Sequence, residues 1–393
     1  MARGERLALI QKVQSLCSNR LCVAYLTSTR AGHEIAMADD VIRLLYDHLH
    51  AGREQAKAGV DLFIHSNGGQ GTVPWRLVSL IREYTDKFAV LVPHRAFSAA
   101  TLVAMGTDEI LMHRMGVLGP IDPSVANLFN PPHPHNPGQP LAISVEDVTA
   151  YFKLIQEEIG IHHEDELIQA VTALTEKIHP LALGNVQRSH QQARMMARKL
   201  LKQHMSQKEE HEIDQIIDTL KSNLFYHGHP INRKEAKADL GLKVKNARDD
   251  LAAVMWDLYV EYETALKMTE PFQPLHELET RLAAPAPAGP LTTPQIVQQM
   301  QLLAQAGIAF GNVNEQQFVN LAAAMVPLVG AGGGQVPKKA KLDKVPGAYV
   351  ESAAHADVFL TDLTLERVTI NMPTGPQDGM KQEVIWQRWE KGK

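Results

Sequence analysis

Two stretches of the sequence, FIHSNGGQG (63–71) and HRAFSAATLVAMGTDEI (94–110), decide how the chain is interpreted. The apolar start of the first stretch predicts a strand that breaks at Ser66 into a turn with paired glycines. The second stretch predicts a turn and then a helix that opens at Ser98. A glycine turn and a helix with a serine at its start, so close in sequence, can face each other across a bound group.

The segments around these two stretches alternate between strand and helix. Apolar runs and helical spacing predict strands at 20–28, 59–66, 88–93 and 109–114 and helices at 37–52, 72–84 and 98–106. Because continuous apolar strands alternate with helices, the sequence predicts the α/β class with a largely parallel sheet.

The later part of the chain is different in character. Helical spacing predicts helices at 145–159, 164–177, 185–205, 208–224, 233–239 and 246–268. The proline-rich AAPAPAGPLTTP (283–294) predicts a linker, a Gln/Ala-rich helical segment follows it at 294–328, and GAGGGQVPKKAKLDKVPGAY (330–349) reads as flexible. The tail beyond residue 350 carries no motif. We therefore predict an α/β core at 1–145, a mainly helical part at 146–270, and a linker with an extension at 271–393.

Composition excludes several classes of function. A formal charge of −5 and a pI near 6.4 are not those of a protein with a dominant nucleic-acid-binding surface. The N-terminus is too charged for a signal peptide, and no apolar run approaches the roughly 18 residues that a membrane span requires. The only cysteines, Cys17 and Cys22, fit a reducing compartment. We expect a cytoplasmic protein with no nucleic-acid partner and no membrane span.

The two opening stretches have the composition of an oxyanion hole. The turn at Gly68 and Gly69 has no side chains, so its backbone N–H groups can face a substrate. The N–H of Ala99, directly after Ser98, points outward at a helix start, toward negative charge. Two other interpretations are a plain helix cap at Ser98 and a phosphate-binding loop, although the G-x-G-x-x-G spacing is absent.

The order of FIHSNGG, AFSAATLVAMGTDEILM and MGVLGPIDP (115–123) resembles the Clp protease/crotonase superfold. Within it, the chain is similar to the signal peptide peptidase A-like and serine dehydrogenase proteinase branch. A later segment, HGHPINRKEAKADLGL (227–242), is similar to the one with which such peptidases close the core domain. The resemblance spans roughly residues 20–265 and implies a ββα-repeat core with a helical C-terminal part, while the flexible extension predicted from composition lies outside it. It also implies that Ser98 is the nucleophile and that Gly68, Gly69 and Ala99 form the oxyanion hole.

The chain differs from the resembling proteins in the residue that would act as the general base. The Clp proteolytic subunit has a histidine where this chain has Gly119 and Pro120, so a lysine of the signal peptide peptidase A type is expected instead. Lys153 is the best match, although a solvated position on a helix beside Glu157 is the alternative interpretation. The other candidates for the base are Lys177 and His179, while His94 either lines the site or covers it.

From these residues we predict a serine peptidase that cleaves peptide or unfolded protein substrates through an acyl-enzyme on Ser98. No metal or nucleotide cofactor is implied, since the histidine clusters lack the spacing of a zinc site and no Walker-type loop is present. Family members assemble, so the resemblance implies a homo-oligomer with contacts from the 185–268 region. The alternatives are a crotonase-type acyl-CoA hydrolase or isomerase and a non-catalytic scaffold of the same fold.

Overall fold

The computed structural model of the chain describes residues 3–121, 124–133, 136–205, 210–220, 229–283, 339–372 and 375–392. Its α-helices are α1 (Arg3–Leu16), α2 (Val41–Ala51), α3 (Arg53–Ala58), α4 (Val73–Arg82), α5 (Ala99–Met105), α6 (Val145–Lys153), α7 (Glu164–Thr175), α8 (Pro180–Leu201), α9 (Glu210–Asp218), α10 (Arg233–Ala238), α11 (Asp249–Ala265) and α12 (Pro274–Ala283). A π-helical turn, Leu154–Glu158, continues directly from α6.

The strands are β1 (Leu21–Thr27), β2 (Thr29–Arg30), β3 (His33–Glu34), β4 (Val60–His65), β5 (Phe88–Val92), β6 (Arg95–Ala96), β7 (Glu109–Met112), β8 (Val117–Leu118), β9 (Ser124–Val125), β10 (Pro132–His133), β11 (Asn136–Pro140), β12 (Ile143–Ser144), β13 (Ile231–Asn232), β14 (Val244–Asn246), β15 (Lys339–Ser352), β16 (Ala356–Met372) and β17 (Gly375–Lys391). The predicted elements of the first 115 residues are all present, with ends shifted by a few residues.

The chain divides into two compact units. The first comprises Met1–Pro271, Pro346–Leu360 and Arg388–Lys393, and the second comprises Phe272–Val345 and Thr361–Gln387. The second unit has its own small core, built from Phe272, Leu278, Leu342, Val345, Leu363 and Leu365. Among the described residues, no helix combines the length and the apolar content that crossing a membrane would require.

The first unit is centred on a mixed sheet with the strand order β14-β7-β5-β4-β1, and residues 348–352 of β15 lie beside β1. Five neighbouring strands of this sheet pair in parallel, namely β14, β7, β5, β4 and β1, and β15 pairs antiparallel with β1. The predicted α/β class is therefore confirmed, whereas the ββα repeat remains a prediction. Since β4 and β5 are parallel neighbours, the segments that follow them leave the sheet at the same edge.

Helices cover both faces of this sheet, which explains why its strands are continuous apolar runs. Val23 and Tyr25 of β1 belong to the core cluster under α2, α4 and α5. Cys22 and Ala24 belong to the opposite cluster, under α1 and α11. The period-two alternation of a strand thus places successive side chains in two separate cores.

The prediction of flexibility for 330–349 is wrong for the part that the structure describes. Residues 339–349 lie within β15, and Ala348 is paired with Thr27 of β1. The segment contains three lysines, Pro346 and Gly347, so its local composition favours a loop. Pairing with β1 and burial of Ala348 and Val350 outweigh that local preference. The linker at 284–294 and the small helical segment that follows it lie outside the described residues.

A buried ion pair connects the N-terminal helix to β15 within the first unit. The Arg6 guanidinium donates to both carboxylate oxygens of Glu351, at 2.9 and 2.8 Å. The Tyr262 hydroxyl donates to the same carboxylate at 2.7 Å, and the guanidinium lies 4.8 Å from the centroid of the Tyr349 ring. Both charged side chains are under a tenth exposed, so each charge depends on the other for compensation.

We expect Glu351→Ala to lower the free energy of unfolding by about 3–5 kcal/mol, because it leaves the Arg6 guanidinium buried without a counter-charge. Urea denaturation followed by circular dichroism measures the change. Glu54→Ala is the matched control, since it removes the exposed pair with Lys57 and should leave the urea midpoint unchanged. Equal midpoints for the two variants would contradict a stabilising role of the buried pair.

Candidate active site

The glycine turn and the Ser98 segment lie side by side at the carboxyl edge of the sheet. The Ser66 N–H donates to the Arg95 carbonyl, and the Phe97 N–H donates to the Ser66 carbonyl, both at 3.0 Å. These bonds form an isolated parallel bridge between Ser66 and Ala96 beyond the ends of β4 and β5. The two stretches that the sequence singled out are thus joined by their backbones.

Gly68 is in direct contact with the Ser98 segment. A Cβ atom on Gly68 would lie 2.7 Å from the Phe97 oxygen, 2.8 Å from the Ser98 Cβ and 2.9 Å from the Ala99 nitrogen. Its φ of +98° is also a conformation that side-chain-bearing residues rarely adopt. Only glycine fits at this position. Because it has no side chain, the turn can lie in contact with Ser98, the nucleophile candidate.

The two glycines present their N–H groups differently. The Gly68 N–H donates to the Ser66 hydroxyl at 3.0 Å, so it is occupied within the protein. The Met37 N–H donates to the Gly68 carbonyl at 2.8 Å, and the Gln70 N–H donates to the Met37 carbonyl at 2.9 Å. Because successive peptide groups of an extended chain point to opposite sides, the N–H and C=O of Gly69 point away from Met37. Gly69 is exposed and offers a main-chain edge.

Ser98 has the backbone of a strained strand-to-helix turn. Its φ of 51° and ψ of −113° are unusual for a residue with a side chain, and α5 begins at the next residue. Its hydroxyl does not cap α5, and it makes no hydrogen bond with any residue in the described part of the chain. The helix-cap interpretation of Ser98 is therefore wrong. The Ala99 N–H stands at the first position of α5, next to Gly68.

Side-chain hydroxyls of Thr27, Ser66 and Thr101 hold the turn and the start of α5 in place. The hydroxyls of Thr27 and Ser66 lie 2.8 Å apart and share a hydrogen bond, which fixes the oxygen that accepts from Gly68. The Thr101 hydroxyl lies 2.8 Å from the carbonyl oxygens of both Ala96 and Gly119. A serine that accepts from the N–H two residues later is a local turn motif, so the sequence carried a signal for Ser66. No local signal pointed to Thr27.

The three candidate bases all lie on the surface of the helical part. Lys153 is the last residue of α6 and is exposed where the π-helical turn begins. Lys177 is exposed after the end of α7. His179 is exposed as well, and its Nδ1 accepts from the Leu181 N–H at 3.1 Å, so it caps α8. No hydrogen bond joins Ser98 to any of the three in the described residues.

A cluster of aromatic side chains lies beneath the two loops, where α11 packs on the sheet. The His94 Nδ1 and the Tyr259 hydroxyl are 2.8 Å apart, and that hydroxyl donates to Glu263 at 3.0 Å. The His65 and His94 rings stack with their centroids 5.6 Å apart, and the His65 Nε2 lies 3.1 Å from the Thr29 hydroxyl. Burial lowers the pKa of His65 to about 3 and also lowers the pKa of His94, so both rings are neutral at pH 7.

A cavity of about 460 Å³ lies at the other end of the parallel strands. Among its lining residues, Arg20 precedes β1, Lys87 precedes β5 and Glu109 begins β7. Ser98, in contrast, follows the carboxyl end of β5. The cavity therefore does not belong to the candidate active site. Among the described residues, no cluster of His, Cys, Asp or Glu has the form of a metal site.

Residues 40–135 match the family model described as ClpP-like SDH-type serine proteinase. The match is a similarity of this segment to that proteinase family and does not extend to the rest of the chain. It contains Gly68, Gly69, Ser98 and Ala99, and it ends before Lys153. The resemblance that the sequence motifs indicated is thereby confirmed.

Two curated relatives come from Methanocaldococcus jannaschii. The uncharacterized protein MJ1495 is 36% identical over 66 residues, which are 17% of this chain and 23% of that protein. The uncharacterized protein MJ0137 is 26% identical over 200 residues, which are 51% of this chain and 58% of that protein. The chain thus spans less than two thirds of the length of either relative.

We expect Gly68→Ala to abolish the reaction of Ser98 with a fluorophosphonate probe, because the new Cβ would displace Ser98 and the Ala99 N–H. The rate of labelling should fall about 100-fold or more, since shifts of about 1 Å in a catalytic arrangement cost that much. Gly71→Ala is the matched control, because no atom lies within 4 Å of the added Cβ. Normal labelling in a folded Gly68→Ala protein would contradict the assigned geometry.

Acid should destabilise the fold through His65. Its folded pKa of about 3 lies below its ordinary value of 6.5, so the unfolded chain binds the proton more readily between these two values. The contribution is complete above about pH 6.5 and is lost as the pH falls below it, by about 1 kcal/mol down to pH 5.5.

Urea titrations at the two pH values measure this loss. His65→Gln should show a smaller loss than the wild type, whereas the exposed control His162→Gln should match the wild type. The same pH dependence in all three proteins would rule out His65 as its source.

Proposed function

We propose that this protein is a serine peptidase that hydrolyses peptide bonds through an acyl-enzyme on Ser98. The observation that carries the proposal is the strained, uncapped Ser98 at the start of α5, in contact with the Gly68–Gly69 turn. A strand-to-helix turn that exposes a serine hydroxyl beside backbone N–H groups is the arrangement that nucleophilic acyl transfer needs. The family match over 40–135 supports the same chemistry.

In this proposal the Ser98 oxygen attacks the carbonyl carbon of the substrate while a general base accepts its proton. The N–H groups of Gly69 and Ala99 stabilise the oxyanion that forms. We assign the turn's donor to Gly69 because the Gly68 N–H already donates to Ser66. The protonated base then gives its proton to the leaving amine. Water attacks the acyl-enzyme with the help of the same base, which releases the acid and restores Ser98.

The main-chain edge at Gly69 supports an extended substrate. Since the N–H and C=O of Gly69 point away from Met37 and this residue is exposed, a peptide strand can pair with them. That pairing would carry the scissile carbonyl past Ser98, which contacts the preceding residue of the turn. We therefore propose peptides or unfolded segments of proteins as substrates.

We propose Lys153 as the base, with Lys177 and His179 as the alternatives. Its place at the junction of α6 with a π-helical turn supports this choice, because such turns are frequent at functional sites. A lysine acts as a base near neutral pH only when it is desolvated, so an exposed Lys153 would have to become covered on substrate binding or assembly. Assembly is supported by α7, which buries none of its residues and exposes Ile168 and Val171. The homo-oligomer and the cytoplasmic location remain predictions.

A non-catalytic scaffold is the second candidate function. It is favoured by the exposure of all three candidate bases and by the absence of a hydrogen bond to the Ser98 hydroxyl from the described residues. Under this alternative, peptides bind at the Gly69 edge and no covalent adduct forms.

Fluorophosphonate labelling of the purified protein, with the adduct located by mass spectrometry, tests the proposal. We expect an adduct on Ser98, none in Ser98→Ala, and a loss of at least about 100-fold in the labelling rate of Lys153→Ala. Lys177→Ala and His179→Ala serve as matched controls. If one of them abolishes labelling and Lys153→Ala does not, the base is reassigned. A folded wild-type protein that forms no adduct would refute the peptidase proposal and favour the scaffold.

A further inference from the structure

Through its guanidinium, Arg95 contacts both loops of the candidate active site, the glycine turn and the segment before Ser98. It lies in β6, where its neighbour Ala96 is fully buried and Arg95 itself is half-buried. Its Nη1 donates to the Asn67 side-chain oxygen at 3.2 Å, and its guanidinium lies 5.2 Å from the centroid of the Phe97 ring. The side chain is thus fixed by a hydrogen bond on one loop and a ring contact on the other.

Both anchors of Arg95 are immediate neighbours of the reacting groups. Asn67 precedes Gly68, and Phe97 precedes Ser98. Gly68 and Ser98 are themselves in contact, since a Cβ on the glycine would lie 2.8 Å from the Ser98 Cβ. The guanidinium therefore contacts the side chains of the two residues that directly precede Gly68 and Ser98.

Unlike two other shielded arginines, Arg95 is not within ion-pair distance of a carboxylate of the described residues. Arg20 and Arg82, which are also largely shielded, pair with Asp61 and Asp108. Arg95 forms no ion pair in the described part of the chain, and its buried Nε has no hydrogen-bond partner. An arginine stays charged at any ordinary pH, so burial cannot neutralise it.

The polar rings that interact with Arg95 from α11 and the strand ends carry no charge at pH 7. His65, His94 and Tyr259 are uncharged at pH 7. Glu263 accepts from the Tyr259 hydroxyl at 3.0 Å and makes no ion pair with Arg95. A partly desolvated cation without a partner is unfavourable, and a carboxylate supplied by a ligand would remove that cost.

We propose that Arg95 is a specificity residue that binds a carboxylate of the substrate close to the scissile bond. The planar guanidinium can donate two parallel hydrogen bonds to a carboxylate through Nη1 and Nη2, since Asn67 accepts only one of the two Nη1 hydrogens and Nε is buried. The carboxylate is either an acidic side chain or the free C-terminus of a peptide. This inference rests on the proposed peptidase function and adds the substrate class to it.

Matched peptides test the inference. One series places Glu, Gln or Lys at each position around the cleaved bond, and a second compares a free C-terminal carboxylate with an amide. We expect the wild type to cleave the peptide with the correctly placed carboxylate at least about tenfold more efficiently, in kcat/KM, than its neutral partner. The first series reports a side-chain carboxylate and the second reports the C-terminus.

Arg95 variants identify the residue responsible. Arg95→Gln should remove the preference by reducing the cleavage of acidic peptides to the rate of neutral ones, and Arg95→Glu should favour the Lys peptide. Arg95→Lys should retain only part of the preference, because a lysine cannot form the two parallel bonds. Arg188→Gln is the matched control, since Arg188 also donates to an asparagine, Asn185, but is exposed on α8.

The outcomes separate this inference from the proposed function. If the wild type forms a Ser98 adduct and cleaves acidic and neutral peptides equally, the peptidase stands and the role of Arg95 is refuted. If Arg95→Gln slows all peptides by the same factor, Arg95 is structural and the inference is also refuted. If no adduct forms and no peptide is cleaved, both proposals fail together.

Discussion

The contact between Gly68 and the Phe97–Ala99 segment is the constraint on which the candidate active site depends. Three atoms of that segment lie within 2.9 Å of the place where a Cβ would stand. The contact is possible because β4 and β5 are parallel neighbours and release their following loops at one edge of the sheet. The glycine turn and Ser98 are therefore brought together by the parallel pairing of the two strands.

Backbone hydrogen bonds also maintain the unusual conformation of Ser98. A side-chain-bearing residue at such dihedral angles costs about 1–3 kcal/mol, and it persists only where its surroundings hold it. Here the Phe97 carbonyl accepts from Ala100 at 2.9 Å and the Ser98 carbonyl accepts from Leu102 at 3.1 Å. Thr101 ties the same helical turn to the Ala96 and Gly119 carbonyls. The strain leaves the Ser98 hydroxyl uncommitted, as a nucleophile requires.

Two shielded arginines of the first unit differ in the partners of their guanidinium groups. Arg6 is compensated by Glu351, and this pair connects two distant parts of the chain. Arg95 is anchored by a neutral amide and an aromatic ring beside the nucleophile candidate, without a carboxylate in the described residues. Loss of Glu351 would leave the buried Arg6 charge uncompensated, whereas the carboxylate that we propose for Arg95 comes from the substrate.

Local sequence signals were sufficient for the strands β1, β4, β5 and β7, for the glycine turn and for Ser98. Continuous apolar runs, paired glycines and a serine before a helical pattern are properties of neighbouring residues, so they can be read without the fold. The start of α8 was predicted at residue 185 and lies at Pro180, because His179 caps the helix and Pro180 suits its first turn. Such shifts are small because caps act over a few residues.

Only the tertiary structure decided the state of the C-terminal segments and the environment of the candidate bases. The composition of 339–349 favours a loop, yet this segment lies within β15, whose Ala348 and Tyr349 pair with β1 more than 300 residues earlier in the chain. Whether Lys153 is solvated, and whether Arg95 meets a carboxylate, depends on which distant residues the fold brings near. Burial and charge pairing are set by long-range packing, so no pattern of neighbouring residues encodes them.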